Sequence, residues 1–366
     1  MSLGSRIDRL FGRKSVIEEF LGAEEYRTRA RETVEIERFV RTLYRTLLHR
    51  EPDSAGFEER VTQMSAGKMT HTDVIERIIS SEEYRAIQGV DVYRAPGHFY
   101  SPIVNPGDVE QYLERVEVAR QSDTLIDVTV DRAAMVRYWY ELLPFMQAAP
   151  FAEKPTNGLR FGFENPSYSW GDASVLHGTL RLCRPKRLIE IGSGYSSLCT
   201  IDTVEHFLNE DCKISFIEPY PQPMMDLLGQ EASRFDIIQQ NVQQVPATLF
   251  DELHAGDILF IDSTHVLKTG SDVCFELFNI LPRLASGVLV HFHDIFWPFE
   301  YPREWVISEN RSWNELYALR AFLTRNDAWE IMMFNDYLGL FEEPMIASTY
   351  PPFLRSFGAA LWLRRR

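Results

Sequence analysis

Residues 190–197 read Glu190-Ile-Gly-Ser-Gly-Tyr-Ser-Ser197, and this stretch decides the fold of the C-terminal half. It closes the apolar run 187–191 and opens a segment of helical spacing, so a strand passes through a glycine turn into a helix. Gly192 and Gly194 permit a tight turn and close approach of backbone to a ligand. Such a turn serves many ligands. What sharpens it is Glu218 at the end of the next apolar run, where a carboxylate can accept hydrogen bonds from both hydroxyls of a ribose. A dinucleotide fingerprint would place a third glycine at 197, where this chain has serine, which disfavours an NAD-dependent oxidoreductase.

Outward from the turn, short apolar runs alternate with helical segments, the pattern of a parallel sheet covered on both faces. The expected strands are 187–191, 213–217, 236–239, 257–261 and 287–292. Two closing strands, 329–335 and 359–363, follow, the last an antiparallel hairpin edge. The N-terminal part differs: to about Ile87 it is helical in spacing and has no strand-like run. A helix is expected over 36–48, stopped before Pro52. A second begins near Gly56 behind a cap at Asp53 or Ser54, and a third runs from a cap at Thr72 to Tyr84. Glu51 and Asp53 lack the alternating ligands of a calcium loop and read as capping chemistry. Residues 16–27 echo 74–85 in type, suggesting a repeated helix. Glycine, proline and scattered aromatics from 89 to 107 mark a connection. Helices are expected over 108–120 and 133–143, the latter ended or kinked by Pro144. The resulting division is a helical domain at 1–90, a linker with connecting helices at 91–156, and an α/β domain at 157–366.

The chain has 366 residues, 45% hydrophobic and 25% charged, an ordinary composition for a folded two-domain protein. Its formal net charge of −15 repels phosphate backbones, so nucleic acid is not an expected partner. No apolar run approaches the ~20 residues of a membrane span, and residues 1–21 are charged rather than signal-like. The four cysteines form no Cys-x-x-Cys pair and suit small core positions in a reducing, cytoplasmic setting. Arg364 to Arg366 read as a solvated tail.

Two further strand ends bear on the same crevice: Ile261-Asp-Ser-Thr-His265 and His291-Phe-His-Asp294. Ligands of open α/β sheets bind beyond such carboxyl ends. Asp262 and Asp294 each close a strongly apolar strand, where an unpartnered carboxylate is costly, so both read as functional, with capping of the following helix the alternative for Asp262. His265 and His293 are candidate general bases, with ordinary loop histidines as the alternative, while His291 reads as a buried core histidine. Aromatic residues crowd 296–305 and 313–317, suited to stacking on an acceptor or to packing among themselves. Upstream, Asn165 and Asp172 are candidate contacts over the ligand, with helix capping the alternative for Asp172.

The run "EIGSGYSS", with Glu218 in "FIEPYP", resembles motif I and the acidic second motif of class I S-adenosylmethionine-dependent methyltransferases over roughly residues 159–364. That resemblance implies a Rossmann-like seven-stranded sheet of order 3-2-1-4-5-7-6. It also implies that Glu190, Gly192, Ser193 and Gly194 line the methionine portion of the cofactor, Glu218 the ribose, and Gln240 or Asn241 the adenine. Asp262 would border the same ligand. "LFIDSTHVLKTGSD" followed by "LPRLASGVLVHFHDIFWPFEYPREW" resembles the methyltransferase 24 group, relatives of macrocin-type sugar O-methyltransferases. Metal-dependent members of that wider set use an aspartate after strand four and an Asp-Asp or Asp-Asn pair after strand five. Asp262 and Asp294 are therefore candidate ligands of Mg2+ or Mn2+, but His293 stands where a second acidic or amide ligand is expected. Residues 38–85 resemble the bacterial DUF4214 domain, often joined to glycan-processing enzymes, which implies an interaction or positioning module. The implied activity is O-methylation of a sugar hydroxyl in a bacterial glycan or glycosylated small molecule, in polysaccharide biosynthesis. His265, His293 and Asp294 would be the catalytic residues, with oligomers or protein partners engaged through the helical domain. The competing reading is a scaffolding or binding protein with an inactive methyltransferase-like fold.

Overall fold

The computed structural model describes residues 33–48, 50–81, 83–84, 97–156, 158–209 and 211–366. The first copy of the helical echo, 16–27, lies outside them. The chain divides into two compact units, 1–105 and 106–366.

Among the described residues of the first unit, three amphipathic helices enclose an apolar core: α1 (Thr33–Leu47), α2 (Ser54–Ser65) and α3 (His71–Ile79). Phe39, Val40 and Leu43 of α1, spaced for one helical face, bury against Val74, Ile75 and Ile78 of α3. Asp53 caps α2, accepting from the backbone N–H of Gly56 at 2.8 Å. The cap of α3 is Thr70 and not Thr72. Thr70 and Asp73 form a reciprocal capping box, which satisfies two N-terminal backbone donors at once and so starts the helix two residues early.

The second unit opens with α4 (Pro106–Ala119) and α5 (Arg132–Gln147), read from sequence as connecting helices. They are packed into this unit: Met135, Trp139 and Leu142 of α5 are fully buried. Pro144 does not end α5, which runs three residues beyond it. The carbonyl that loses its helical partner belongs to Tyr140, a residue on the exposed face of α5.

A seven-stranded sheet follows, with order β3-β2-β1-β4-β5-β7-β6. Its strands are β1 (Arg187–Ile191), β2 (Lys213–Ile217), β3 (Asp236–Ile238), β4 (Ile258–Ile261), β5 (Leu289–Phe292), β6 (Trp329–Phe334) and β7 (Leu361–Arg365). The first five are parallel, and β7 runs antiparallel between β5 and β6. β4 and β5 are buried at every position, as strands covered on both faces must be. The last strand is thus internal and not an edge, and it lies two residues later than its apolar run suggests. The three terminal arginines are no solvated tail. Arg364 and Arg366 both pair with Glu330, and Arg365 donates to the carbonyl of Ala328 at 2.8 Å. Helices α6 (Trp170–Cys183) and α7 (Tyr195–Phe207) flank β1. No helix among the described residues is long and apolar enough to cross a membrane.

Candidate active site

The carboxyl ends of β1, β2 and β4 open onto a cavity of about 340 Å³ whose lining includes Gly192, Glu218, Tyr220, Asn241, Asp262 and Lys268. Gly192 is required there: its φ is +80°, and a Cβ would stand 1.9 Å from the carbonyl oxygen of Asp262. Only a glycine lets the chains leaving β1 and β4 run this close. At Gly194 a Cβ would meet nothing within 4 Å, so its bareness leaves open space rather than relieving a clash. Glu190 is fully buried; its Oε1 accepts from the hydroxyls of Ser196 (2.6 Å) and Ser197 (2.9 Å). Burial pushes its carboxyl up to about 8 against those two bonds. Its Oε2 and the Ser193 hydroxyl are buried without a protein partner. Orphaned groups of this kind call for an ordered water or a ligand, and a cationic ammonium suits a carboxylate and a hydroxyl together. Glu218 spends Oε1 on the backbone N–H of Tyr220 at 2.8 Å, leaving its other oxygen to the cavity.

Beyond β4 and β5 the remaining candidates meet. His265 Nε2 lies 3.5 Å from Asp262 Oδ1 and 3.5 Å from Asp294 Oδ2. His293 Nδ1 lies 3.4 Å from Asp262 Oδ1 and 3.6 Å from Asp294 Oδ1. Each imidazole faces a further buried carboxylate on its other nitrogen. His265 Nδ1–H donates to Glu315 Oε2 at 2.8 Å, and His293 Nε2 lies 3.4 Å from Asp172 Oδ2. Asp262 thus sits between two carboxylate–imidazole pairs. Burial opposes its charge, but the His293 and His265 imidazoles outweigh burial and hold it well below the usual carboxylate range. Burial also opposes the imidazolium of His265, yet hydrogen bonds to Asp262 and Glu315 lift it to about 10. His293 is raised against burial by the charges of Asp262 and Asp294, while burial raises Asp294 itself. Both His265 and Asp294 hold positive φ, near +60° and +57°, a conformation that stores strain at positions other than glycine.

Asp262 caps no helix: the chain from 262 to 270 is irregular. His291 stacks on Phe260 with centroids 3.8 Å apart, and burial then the His293 charge depress its pKa, the environment of a neutral core histidine. Asn165 bonds only within its own loop, to Gly162, Ser167 and Tyr168. Asp172 caps nothing either. It reaches across to accept from Asn335 Nδ2 and the backbone N–H groups of Ala359 and Ala360, tying α6 to the start of β7. Glu315 and Glu276 are buried acids near this site that sequence reasoning missed. Glu315 opens a helix, where an acidic residue has an ordinary dipole explanation, and its partner is 50 positions away.

A divalent cation does not fit these side chains as they stand. Each imidazole nitrogen that faces the crevice lies against oxygens of both Asp262 and Asp294, so cationic imidazole takes up their negative charge. An oxygen-seeking Mg2+ is poorly matched to a nitrogen-rich donor set. No group of three His, Cys, Asp or Glu side chains among the described residues has the geometry of a metal centre.

Comparison with known proteins gives two family matches: residues 17–87 match a domain of unknown function, DUF4214, and residues 189–295 match a methyltransferase domain. An uncharacterised protein of Archaeoglobus fulgidus is 28% identical over 160 residues, 43% of this chain and 72% of that protein. Among solved structures, the SAH-bound methyltransferase PaMTH1 of Podospora anserina is 17% identical, with 70% of this chain and 96% of that one covered and a TM-score of 0.35. The O-methyltransferase TomG of Streptomyces achromogenes, in complex with SAM, is 12% identical, with the same coverages and TM-score. The family match and the strand order define a class I methyltransferase domain, the class that draws its methyl group from S-adenosylmethionine. The matching group is methyltransferase 24, and a DUF4214 domain precedes it in the chain.

Proposed function

We propose that the protein transfers a methyl group from S-adenosylmethionine to a sugar hydroxyl of a glycan or glycosylated small molecule, with imidazole as the general base. One observation carries this reading: a nucleoside-sized cavity with Glu218 in its wall ends at Asp262, within 3.5 Å of both candidate bases. S-adenosylmethionine, when bound, supplies an electrophilic methyl carbon on a sulfonium. The orphaned Glu190 oxygen and Ser193 hydroxyl suit its ammonium, and Glu218 its ribose hydroxyls. Asn241 would face the base. Asp262 and Asp294 orient both imidazoles. The neutral form of His265 or His293, reached when the nitrogen facing Asp262 gives up its proton, takes the hydroxyl proton while the acceptor oxygen attacks, so activity rises with pH.

The sugar acceptor rests on the family resemblance; the nearby aromatics pack among themselves, with Tyr301 buried and the Arg311 guanidinium over the rings of Trp305 (4.1 Å) and Trp313 (4.7 Å). Isothermal titration tests the cofactor: absence of binding by both S-adenosylmethionine and S-adenosylhomocysteine would sink the enzyme and favour the scaffold. For the acceptor, transfer of isotope-labelled methyl into glycan fractions as an alkali-stable ether supports a hydroxyl; release as methanol points to a carboxylate. Exhaustive chelation leaves turnover unchanged on this reading, and loss restored by Mg2+ or Mn2+ would overturn the metal-free base.

A further inference from the structure

One segment of the second unit is built around His265. The backbone N–H groups of Asn314 and Glu315 both donate to the His265 carbonyl at 3.1 Å. The Asn314 side chain accepts from the Leu267 N–H at 2.6 Å and donates to its carbonyl at 3.2 Å. Trp313 lies against the imidazole, and Glu315 takes its Nδ1–H. Backbone, ring face and one ring nitrogen of a single histidine are thus held by three consecutive residues, opening the helix α8 (Glu315–Leu323). An acid at a helix start ordinarily points to solvent. Glu315 is instead turned inward, 1% exposed, with Oε1 left without a protein partner.

His293 has no comparable partner. Its separation from Asp172 is 3.4 Å, and both Asp172 oxygens are already engaged by Asn335, Ala359 and Ala360. A contact of that length fixes neither tautomer nor ring orientation well.

We propose that Glu315 is a positioning residue for methyl transfer: by holding the Nδ1 proton it presents Nε2 of His265 to the crevice and selects His265 over His293 as base. This rests on the methyltransferase reading above. As the acceptor oxygen bonds the methyl carbon, the carbon–sulfur bond breaks and sulfur keeps the electron pair. In the enzyme form whose Nε2 has released its proton, the hydroxyl proton passes to Nε2 while Nδ1–H stays on its bond to Glu315, whose charge offsets the new imidazolium. The groups facing His265 are Asp262 and Asp294 from the strand ends and Glu315 from α8. Glu276 acts on it from the helical segment Glu276–Ile280, and His293 lies across Asp262.

The test uses the full chain labelled with 15N-histidine, alone and with the inhibitor sinefungin. Wild type is expected to show one histidine fixed as the Nδ1–H tautomer when neutral, assigned by its loss in H265Q. Glu315→Leu mixes the two tautomers, and Glu315→Gln, which keeps shape and one acceptor, lowers the titration midpoint by at least about one pH unit. Both variants bind S-adenosylmethionine as wild type does. Once an acceptor is in hand, E315Q moves the pH midpoint of kcat down together with the titration midpoint and lowers the limiting kcat above that midpoint by about tenfold or more with little change in KM, and Glu315→Asp recovers part of it. Unchanged tautomer in E315L and unchanged midpoint in E315Q would overturn the positioning role. Failure of wild type to bind S-adenosylmethionine sinks the methyltransferase reading instead, a separate result from the tautomer spectra.

Discussion

Replacing His265 by glutamine should change how the second unit's stability depends on pH, by an amount the geometry sets. The imidazolium is lifted from 6.5 to about 10, against burial, by its bonds to Asp262 and Glu315. At about 1.4 kcal/mol per pH unit, that rise corresponds to about 5 kcal/mol of preference for the charged form in the folded state. The folded pKa exceeds the unfolded one, so this stabilisation is fully present below about pH 6.5 and is lost as pH rises through about 10. Within that window the folded state holds one proton more than the unfolded state, and stability falls with pH. The difference in unfolding free energy between wild type and H265Q should therefore shrink by about 3 kcal/mol between pH 7 and pH 9. Urea denaturation followed by tryptophan fluorescence measures it cleanly, because all seven tryptophans, from Trp139 to Trp362, lie in residues 106–366. A difference that is flat across this range, or that grows with pH, would refute the charged, carboxylate-held imidazole.

Gly192→Ala should destabilise the second unit by about 3 kcal/mol and abolish cofactor binding, since its Cβ would stand 1.9 Å from the Asp262 carbonyl at a φ of +80°; a melting temperature like wild type's would refute this. Glu218→Ala removes a carboxylate suited to two ribose hydroxyls and should weaken S-adenosylmethionine about 100-fold by calorimetry while leaving thermal stability nearly unchanged. Asp172→Ala strands the N–H groups of Ala359 and Ala360 and the Asn335 amide, so it should cost about 2–4 kcal/mol in denaturant titration, with Asp172→Asn costing less.

Much of the sheet could be read in advance because buried parallel strands are apolar at every position. Strands β1 and β2 match the expected ranges 187–191 and 213–217 residue for residue. Strand β7 was harder to place, since Arg364 and Arg365 continue it past the apolar run and their charges, paired with Glu330 and the Ala328 carbonyl, imitate a polar tail. Pro144 misleads because the rule against proline in a helix concerns one lost bond, and α5 is held by a buried face on both sides of it, Trp139 and Leu142 before and Met146 after. At the site, Asp262, His265, His293 and Asp294 were visible because each ends an apolar strand or follows closely after one. Glu315 was not, because a partnership across 50 residues leaves no periodicity or spacing to read. The same holds for Asp172, whose partners come from the far end of the chain.

The internal position of β7 orders events during synthesis. Strand β6 is synthesised before residues 361–365, yet β7 is its partner in the sheet and also the neighbour that closes β5. At about 5–20 residues per second, the apolar edge of β5 and the whole of β6 wait a second or more for their partner. In that interval the segment after β5 lacks its tie from the Ile295 N–H to the Ala359 carbonyl, so the turn carrying Asp294 is unanchored on that side. The parallel half can assemble as it emerges; the crevice is completed only when the last strand slides between two already made. Nascent chains stalled before residue 361 should accordingly be sensitive to proteases around 292–300 and inclined to aggregate through open strand edges.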